Sequence, residues 1–333
     1  METKIAPVPV SGGLSATFNT FPVALFGSVM GLTGLSAAWH IAQLHYGVSP
    51  LLSEAIGALA ILAFVAVACG YAIKWITSPQ SVRAEFAHPI AGSLFGTFFI
   101  SLLLLPIVIA PIDLPIARAV WAIGAIGMTA FGWFMVDRWM NHRQQAAHAT
   151  PAWIVPVVGM LDLPLAMPAL GLETMRGVMV LGLAVGLFFT LPLFTMIFSR
   201  LIFEEPLPDA MQPTLLILFA PFAVGTSTYI TTVGQVDIFA QCLFALTLFM
   251  FLVLVGRLRY LARCCPFRVA WWAVSFPLAA SAIAALRIAA AIPGPTMDVI
   301  AIVLLGVATL VIAGLLLRTL LGVARGELKT LTT

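Results

Sequence analysis

The sequence contains few charged residues. Asp, Glu, Lys and Arg make up 9% of its 333 residues, against about 25% in an ordinary globular domain, whereas hydrophobic residues make up 62%. So few charges cannot cover the surface of a soluble fold, and the high hydrophobic content excludes intrinsic disorder. Cysteine is also scarce, and the 4 Cys residues show no CxxC spacing, which excludes a disulfide framework or a cysteine-based metal site. The composition therefore predicts an all-α polytopic membrane protein.

Long runs without Asp, Glu, Lys or Arg mark the candidate membrane spans, each of which needs ~20 mostly apolar residues. Ten such runs of at least 18 residues occur, at 5–53, 55–73, 86–112, 119–136, 144–161, 177–199, 210–236, 238–256, 269–286 and 299–317. In the first run we expect the helix at about 20–43. In the fifth run polar residues occupy the start, so the helix is expected at 151–170 and contains Asp162.

Basic residues are unevenly distributed between the two sets of loops. With ten spans, one face of the membrane receives both termini and every second loop, and 13 of the 16 Lys and Arg residues fall on that face. Cytoplasmic loops carry such an excess, so both termini are predicted to be cytoplasmic. We expect one transmembrane domain over 20–321 in the cell's inner (plasma) membrane, between tails at 1–19 and 322–333. The net charge of +3 reflects this loop bias and indicates no nucleic-acid partner.

Proline is concentrated in the odd-numbered spans. These spans hold ten prolines, and the even-numbered spans hold only Pro192. Five of the ten, at 22, 89, 151, 213 and 277, are separated by 67, 62, 62 and 64 residues, a period near that of one helical hairpin. A proline bends a helix and frees a carbonyl, which needs a partner inside the membrane. We therefore expect five helical hairpins in a quasi-fivefold ring, with the Pro-kinked inner helices lining a central pore.

Four short motifs occur in order along the chain. They read Phe21-Pro-Val-Ala-Leu-Phe-Gly27, Arg83-Ala-Glu-Phe-Ala-His-Pro89, Ala220-Pro221 and Phe267-Arg-Val-Ala-Trp-Trp-Ala-Val-Ser-Phe-Pro277. With these motifs the chain resembles the tellurite-resistance/dicarboxylate transporter family, which includes bacterial TehA and the slow anion channels of plants. The number and order of the hairpins agree with that family across all ten spans.

The resemblance implies a homotrimer with a separate pore in each protomer and no cofactor. It implies a gated channel for small monovalent anions such as chloride and nitrate, in which a phenylalanine at the position of Phe276 blocks the pore midway. Because Phe276 precedes Pro277, we expect a non-helical backbone there that projects the ring into the channel.

The expected inner helices also carry hydroxyl groups that are able to donate to a passing anion. We predict that the pore-lining or gate-supporting residues are Pro22, Pro89, Pro156, Pro221, Pro277, Ser93, Thr226, Ser275 and Ser281. The alternative for each hydroxyl in the inner helices is a bond to a carbonyl of its own helix.

Three charged residues have open interpretations. Arg287 lies eleven residues after Phe276, roughly 16 Å further along a helix, and either attracts anions at the outer mouth or snorkels to the interface. Asp162 is either a proton-coupling site, a protonated or paired acid, or a loop-edge residue. Glu85 is expected to pair with Arg83 or with an Arg of a neighbouring loop.

The main alternative function is a secondary transporter or exporter of C4-dicarboxylates, sulfite or tellurite, proton-coupled through Asp162. Binding of a divalent anion would need two or more fixed cations inside the pore, and the sequence shows no Lys or Arg in the middle of a span. An enzyme needs a His/Asp/Glu cluster or a metal motif at membrane depth, and the sequence contains no such motif. The sequence therefore favours the channel over the transporter, and either over an enzyme.

Overall fold

The computed structural model describes residues 19–264 and 267–327, and the described residues are helical and contain no strand. The α-helices are α1 (Phe26–Tyr46), α2 (Leu51–Thr77), α3 (Pro79–Ala87), α4 (Gly96–Leu104), α5 (Pro106–Ile109), α6 (Leu114–Asn141), α7 (Val155–Val158), α8 (Arg176–Phe203), α9 (Ala220–Val233), α10 (Ile238–Cys264), α11 (Ser275–Ala291) and α12 (Pro295–Ala324). Most of the predicted tails, 1–19 and 322–333, lies outside the described residues.

A 3₁₀ helix directly precedes one α-helix in each odd-numbered span. These 3₁₀ helices are Val23–Leu25, Ala91–Phe95, Pro151–Ile154, Asp209–Phe219 and Val269–Val274. Each of these 3₁₀ helices together with the α-helix that follows it is called an inner segment below, and the third inner segment also includes the 3₁₀ turn Gly159–Asp162 after α7. The helices α2, α6, α8, α10 and α12 are called the outer helices. Two inner segments begin with or directly after one of the periodic prolines, Pro22 and Pro151, and Pro213 lies inside the fourth 3₁₀ helix.

Nine helices in the described part of the chain are long and apolar enough to cross a membrane. The inner segment in the fifth predicted span is shorter, and its helical residues end at Asp162. The prediction of a helix over 151–170 is therefore wrong beyond Asp162, because residues 163–171 form turns. Pro164 and Pro168 explain the difference, since proline lacks the N–H that a helix needs and restricts the residue before it.

Burial differs sharply between the two sets of helices. In the most apolar stretch of each long inner segment 61–78% of the residues are buried, against 28–33% in the outer helices. All residues of the short segment 151–162 are buried as well. The inner segments contact one another in a closed cycle, α1 to α4, α4 to α7, the 3₁₀ turn after α7 to α9, α9 to α11, and α11 back to α1. Each outer helix packs on the inner segment that precedes it.

Glycines bring α1 and α11 unusually close together. A Cβ atom added to Gly31 would lie 2.2 Å from Oγ of Ser275, and one added to Gly34 would lie 2.9 Å from Cβ of Ala279. Small residues allow helix backbones to approach in this way inside a membrane. The side chain of Ser275 uses the short distance to donate to the carbonyl of Gly27, 3.2 Å away.

We predict that Gly31→Ala destabilises the protein, because the added methyl group has no space beside Ser275. Overpacking of this kind costs about 1–3 kcal/mol. Thermal unfolding of the purified protein in detergent measures the effect. Gly306→Ala is the matched control, because no atom lies within 4 Å of a Cβ at Gly306 in outer helix α12. Equal melting temperatures for the two variants would contradict the close packing described above.

Candidate functional site

A cavity of about 310 Å³ lies between the inner segments. Every described residue on its wall lies in one of the five inner segments or directly before one, and none of the described residues of the outer helices lines it. The cavity is open at the end where the inner segments begin, near Met211 and Arg268, and extends to Phe276. From Arg268 to Phe276 the chain advances roughly 15 Å along the axis of α11. The cavity therefore reaches well into the helical bundle from one side.

The wall of the cavity is almost entirely apolar. Besides Trp272, whose ring N–H donates to Thr319, its polar side chains are Thr97, Asp162, Thr214 and Arg268. The two hydroxyl groups donate to carbonyls of their own segments, Thr97 to Leu94 and Thr214 to Met211. An anion in this cavity would therefore meet very few fixed polar groups.

Phe276 forms part of the wall and is only 8% exposed. Its ring lies beside Gly34 of α1, where an added Cβ would be 3.6 Å from Cδ2 of the ring. The expected non-helical backbone at Phe276 is wrong, because Phe276 is the second residue of α11. Pro277 is compatible with this geometry because the first turn of an α-helix does not need its backbone N–H groups.

The predicted prolines divide into two groups. Pro22, Pro221 and Pro277 line the cavity. Pro89 and Pro156 do not line it, and the carbonyl of Pro89 instead accepts a hydrogen bond from the ring N–H of Trp153, at 3.0 Å.

The predicted serine and threonine residues are buried between helices, and none of the four lines the cavity. Ser275, Ser281 and Thr226 donate to carbonyls of their own segments, at 2.7, 2.7 and 2.8 Å respectively. Ser93 has no hydrogen-bond partner among the described residues. Bonding to the same helix is thus confirmed for three of these four hydroxyls.

Asp162 is the carboxylate of the cavity wall. It is the last residue of its helical segment, which agrees with the loop-edge interpretation, yet it is only 2% exposed. Within the described residues it forms no ion pair, and its Oδ1 atom has no hydrogen-bond partner. Structural pairing with an Arg is therefore not seen among the described residues, and the carboxyl group lies on the cavity wall with one buried oxygen that has no partner.

Arg287 lies beyond Phe276 and is half-buried between α11 and α9. Its Nη1 atom donates to the carbonyl of Ser227 at 2.7 Å and to Oγ1 of Thr231 at 2.6 Å. It therefore joins two inner segments, whereas the snorkelling interpretation placed it in the interface. Its guanidinium group is not part of the cavity wall.

One family shares the pattern of this sequence over almost its whole length. The model of the family described as voltage-dependent anion channel matches residues 20–320. The chain belongs to the voltage-dependent anion channel family. The resemblance carried by the four sequence motifs is thereby confirmed.

The relatives of this family member include plant anion channels, archaeal transporters and a tellurite resistance protein homolog. S-type anion channel SLAH3 of Arabidopsis thaliana is 26% identical over 314 residues, which cover 90% of this chain and 48% of the plant protein. An uncharacterized transporter of Methanocaldococcus jannaschii is 28% identical over 290 residues, covering 80% and 84% of the two chains. A tellurite resistance protein TehA homolog of Haemophilus influenzae is 26% identical over 277 residues, covering 78% and 79%. The chain spans about half the length of SLAH3 and of two other plant relatives, SLAH2 and SLAC1.

In this member of the voltage-dependent anion channel family, a buried ion pair fixes the start of the first inner segment. Nζ of Lys74 donates to Oε2 of Glu85 at 2.7 Å and to the carbonyl of Phe21 at 2.8 Å. Oε1 of Glu85 accepts from the backbone N–H of Val23, and Oε2 accepts from the hydroxyl of Tyr71. The network holds the residues on both sides of Pro22, which lines the cavity.

The partner of Glu85 differs from the expected one. We expected an Arg, and the structure shows Lys74 of α2. The sequence does carry a signal for this pair, because Lys74 ends an apolar run and lies eleven residues before Glu85. Arg268 was also missed as a cavity residue, although it belongs to the motif that contains Phe276.

We predict that Glu85→Gln lowers stability by about 3–5 kcal/mol, because it leaves the buried ammonium group of Lys74 without a counter-charge. Glu327→Gln is the control, since the pair between Arg318 and Glu327 is exposed and such pairs contribute less than about 1 kcal/mol. Denaturant unfolding in detergent micelles compares the two variants. A loss at Glu85 no larger than the loss at Glu327 would rule out a structural role for the buried pair.

Proposed function

We propose that the protein is a gated anion channel that conducts small monovalent anions, chloride and nitrate, through a pore in each protomer. The observation that carries the proposal is the cavity between the five inner segments, which is lined by no described residue of an outer helix. Five hairpins in a quasi-fivefold ring account for both the closed cycle of contacts and the burial of the inner segments. In this arrangement the cavity is the wide inner part of the pore.

The chemistry of the wall suits weak binding of a singly charged ion. Conduction requires that an ion enters readily and also leaves, so few fixed charges are needed. Arg268 provides positive charge near the open end of the cavity. The inner segments also begin at this end, and the positive ends of their backbone dipoles each add a few tenths of a kcal/mol to ~1 kcal/mol. Binding of a divalent anion would be stabilised by a second fixed cation in the cavity wall. Arg287 does not provide it, because its guanidinium group joins α9 and α11 outside the wall.

Phe276 acts as the gate in this proposal. Its ring lies at the deep end of the cavity, and an aromatic side chain there blocks ions sterically and by excluding water. The position in the Ser-Phe-Pro motif of the family supports the same assignment.

We place the protein in the plasma membrane (the inner membrane of a bacterial cell) with both termini in the cytoplasm. The excess of Lys and Arg on one set of loops supports this orientation. The cavity then opens to the cytoplasm. A homotrimer follows from the resemblance to the family.

A proton-coupled transporter of C4-dicarboxylates, sulfite or tellurite is the second candidate. One observation favours it, namely the carboxyl group of Asp162 on the cavity wall. A channel needs no titratable group there, whereas a coupled transporter does.

We predict that Phe276→Ala opens the pore, because it removes the ring that ends the cavity. Planar-bilayer recordings under a chloride gradient should show little current for the wild type and a large current with an anion-selective reversal potential for the variant. Phe188→Ala is the matched control, because Phe188 is 69% exposed on outer helix α8. It should behave like the wild type. Silence of both the wild type and Phe276→Ala, with accumulation of an oxyanion in proteoliposomes under a pH gradient, would favour the transporter instead.

A further inference from the structure

The carboxyl group of Asp162 occupies a position that a passing anion must approach. It lies on the wall of the cavity at the depth of Thr228, whose hydroxyl donates to the carbonyl of the adjacent Leu161. Its side chain is buried, and Oδ1 has no hydrogen-bond partner among the described residues. An unpartnered polar atom in such a position is unusual, because buried polar groups are normally hydrogen-bonded. The carboxyl group therefore lies on the wall of the cavity with hydrogen-bonding capacity that the described residues do not use.

No cation in the described chain neutralises Asp162. The elements packed against its 3₁₀ turn are α4, α6, α7, α8 and α9, and α4 and α7 carry no titratable residue. The charged or titratable residues on the other three, together with those nearby in the cavity and on α11, are Arg118, Asp137, Arg138, Arg176, Arg200, Tyr229, Arg268 and Arg287. None of them forms an ion pair with Asp162.

Several of these residues form hydrogen bonds with groups other than Asp162. Arg118 donates to the carbonyl of Leu170, and Arg138 donates to that of Phe86. The hydroxyl of Tyr229 donates to Asp237. Arg176 and Arg200 lie near opposite ends of α8. Asp137 accepts from Asn141.

The charge state of Asp162 decides how an anion is received. An ionised carboxylate in this apolar wall would have no counter-charge and would repel an anion. A protonated carboxyl group has an O–H donor, and an anion is a strong acceptor for it. Only the protonated form is therefore compatible with an occupied cavity.

We propose that Asp162 is an anion ligand that works in its protonated form, so that a monovalent oxyanion enters the cavity together with one proton. This inference rests on the proposed function. The proton passes from water to the carboxylate, and the resulting O–H donates a hydrogen bond to an oxygen of the anion; no covalent bond forms with the anion. By linkage, anion affinity falls about tenfold per pH unit wherever Asp162 of the empty cavity is ionised.

Proton uptake on nitrate binding tests the inference directly. Nitrate is the conjugate base of a strong acid, so it brings no proton of its own. When nitrate is added to the detergent-solubilised protein in weak buffer, the pH should rise by the equivalent of up to one proton per chain. Asp162→Asn should take up none, and Asp137→Asn, the matched control for a carboxylate outside the cavity, should behave like the wild type. Wild-type binding of nitrate without proton uptake between pH 6 and pH 9 would overturn the inference.

The current through the open pore provides the second test. In the Phe276→Ala background, nitrate current should fall as the pH rises from about 5 to 9. Adding Asp162→Asn keeps an N–H donor that does not titrate, so current should persist without this pH dependence. Adding Asp162→Leu removes the donor, and apparent nitrate affinity should fall about tenfold or more, the cost of one hydrogen bond to a charged group.

The two tests separate the two proposals. Absence of current in Phe276→Ala would refute the channel, and proton uptake by the wild type would still decide the role of Asp162. Conversely, an anion current with the same pH profile in Phe276→Ala and in the double variant with Asp162→Asn would leave the channel intact and refute the role of Asp162.

Discussion

The structure depends on one constraint, that backbone carbonyls inside the membrane have no water to bond with. The inner segments depart locally from regular α-helical geometry, since each begins as a 3₁₀ helix and most carry prolines. Side chains of neighbouring segments add donors to backbone carbonyls in these regions. Ser101 donates to Phe26, Ser275 donates to Gly27, and Thr228 donates to Leu161, each across the contact between adjacent segments. These bonds tie the inner segments to one another within or directly after their 3₁₀ helices.

The same bonds explain why the cavity is lined with carbon. A hydroxyl that donates to a carbonyl between two helices points away from the space that they enclose. Thr97 and Thr214 alone among the hydroxyl-bearing residues of the inner segments reach the wall, and both also donate to nearby carbonyls. The polar groups left facing the cavity are then few, and Asp162 and Arg268 dominate its electrostatics. Weak and sparse contacts of this kind suit rapid passage of ions better than tight binding.

The sequence predicts the fold better than the site. Hydropathy and the alternation of prolines identify the spans and the buried set, because both follow from local composition. The helix predicted for the fifth span is wrong after Asp162, since a count of apolar residues ignores the missing N–H groups of Pro164 and Pro168. The site depends on contacts between distant residues. The proximity of Gly31 to Ser275 and the pairing of Glu85 with Lys74 follow from helix packing, which no local pattern specifies.

That packing also bears on how the proposed gate opens. The backbone of α1 at Gly31 packs directly against Ser275, and the hydroxyl of Ser275 donates to the carbonyl of Gly27. Ser275 directly precedes Phe276, which lies at the deep end of the cavity. Separating the two helices would break this contact. The ring of Phe276, in contrast, lies beside Gly34, which has no side chain to hold it, and it borders an open cavity. The arrangement therefore favours rotation of the ring about its side-chain bonds over movement of α11.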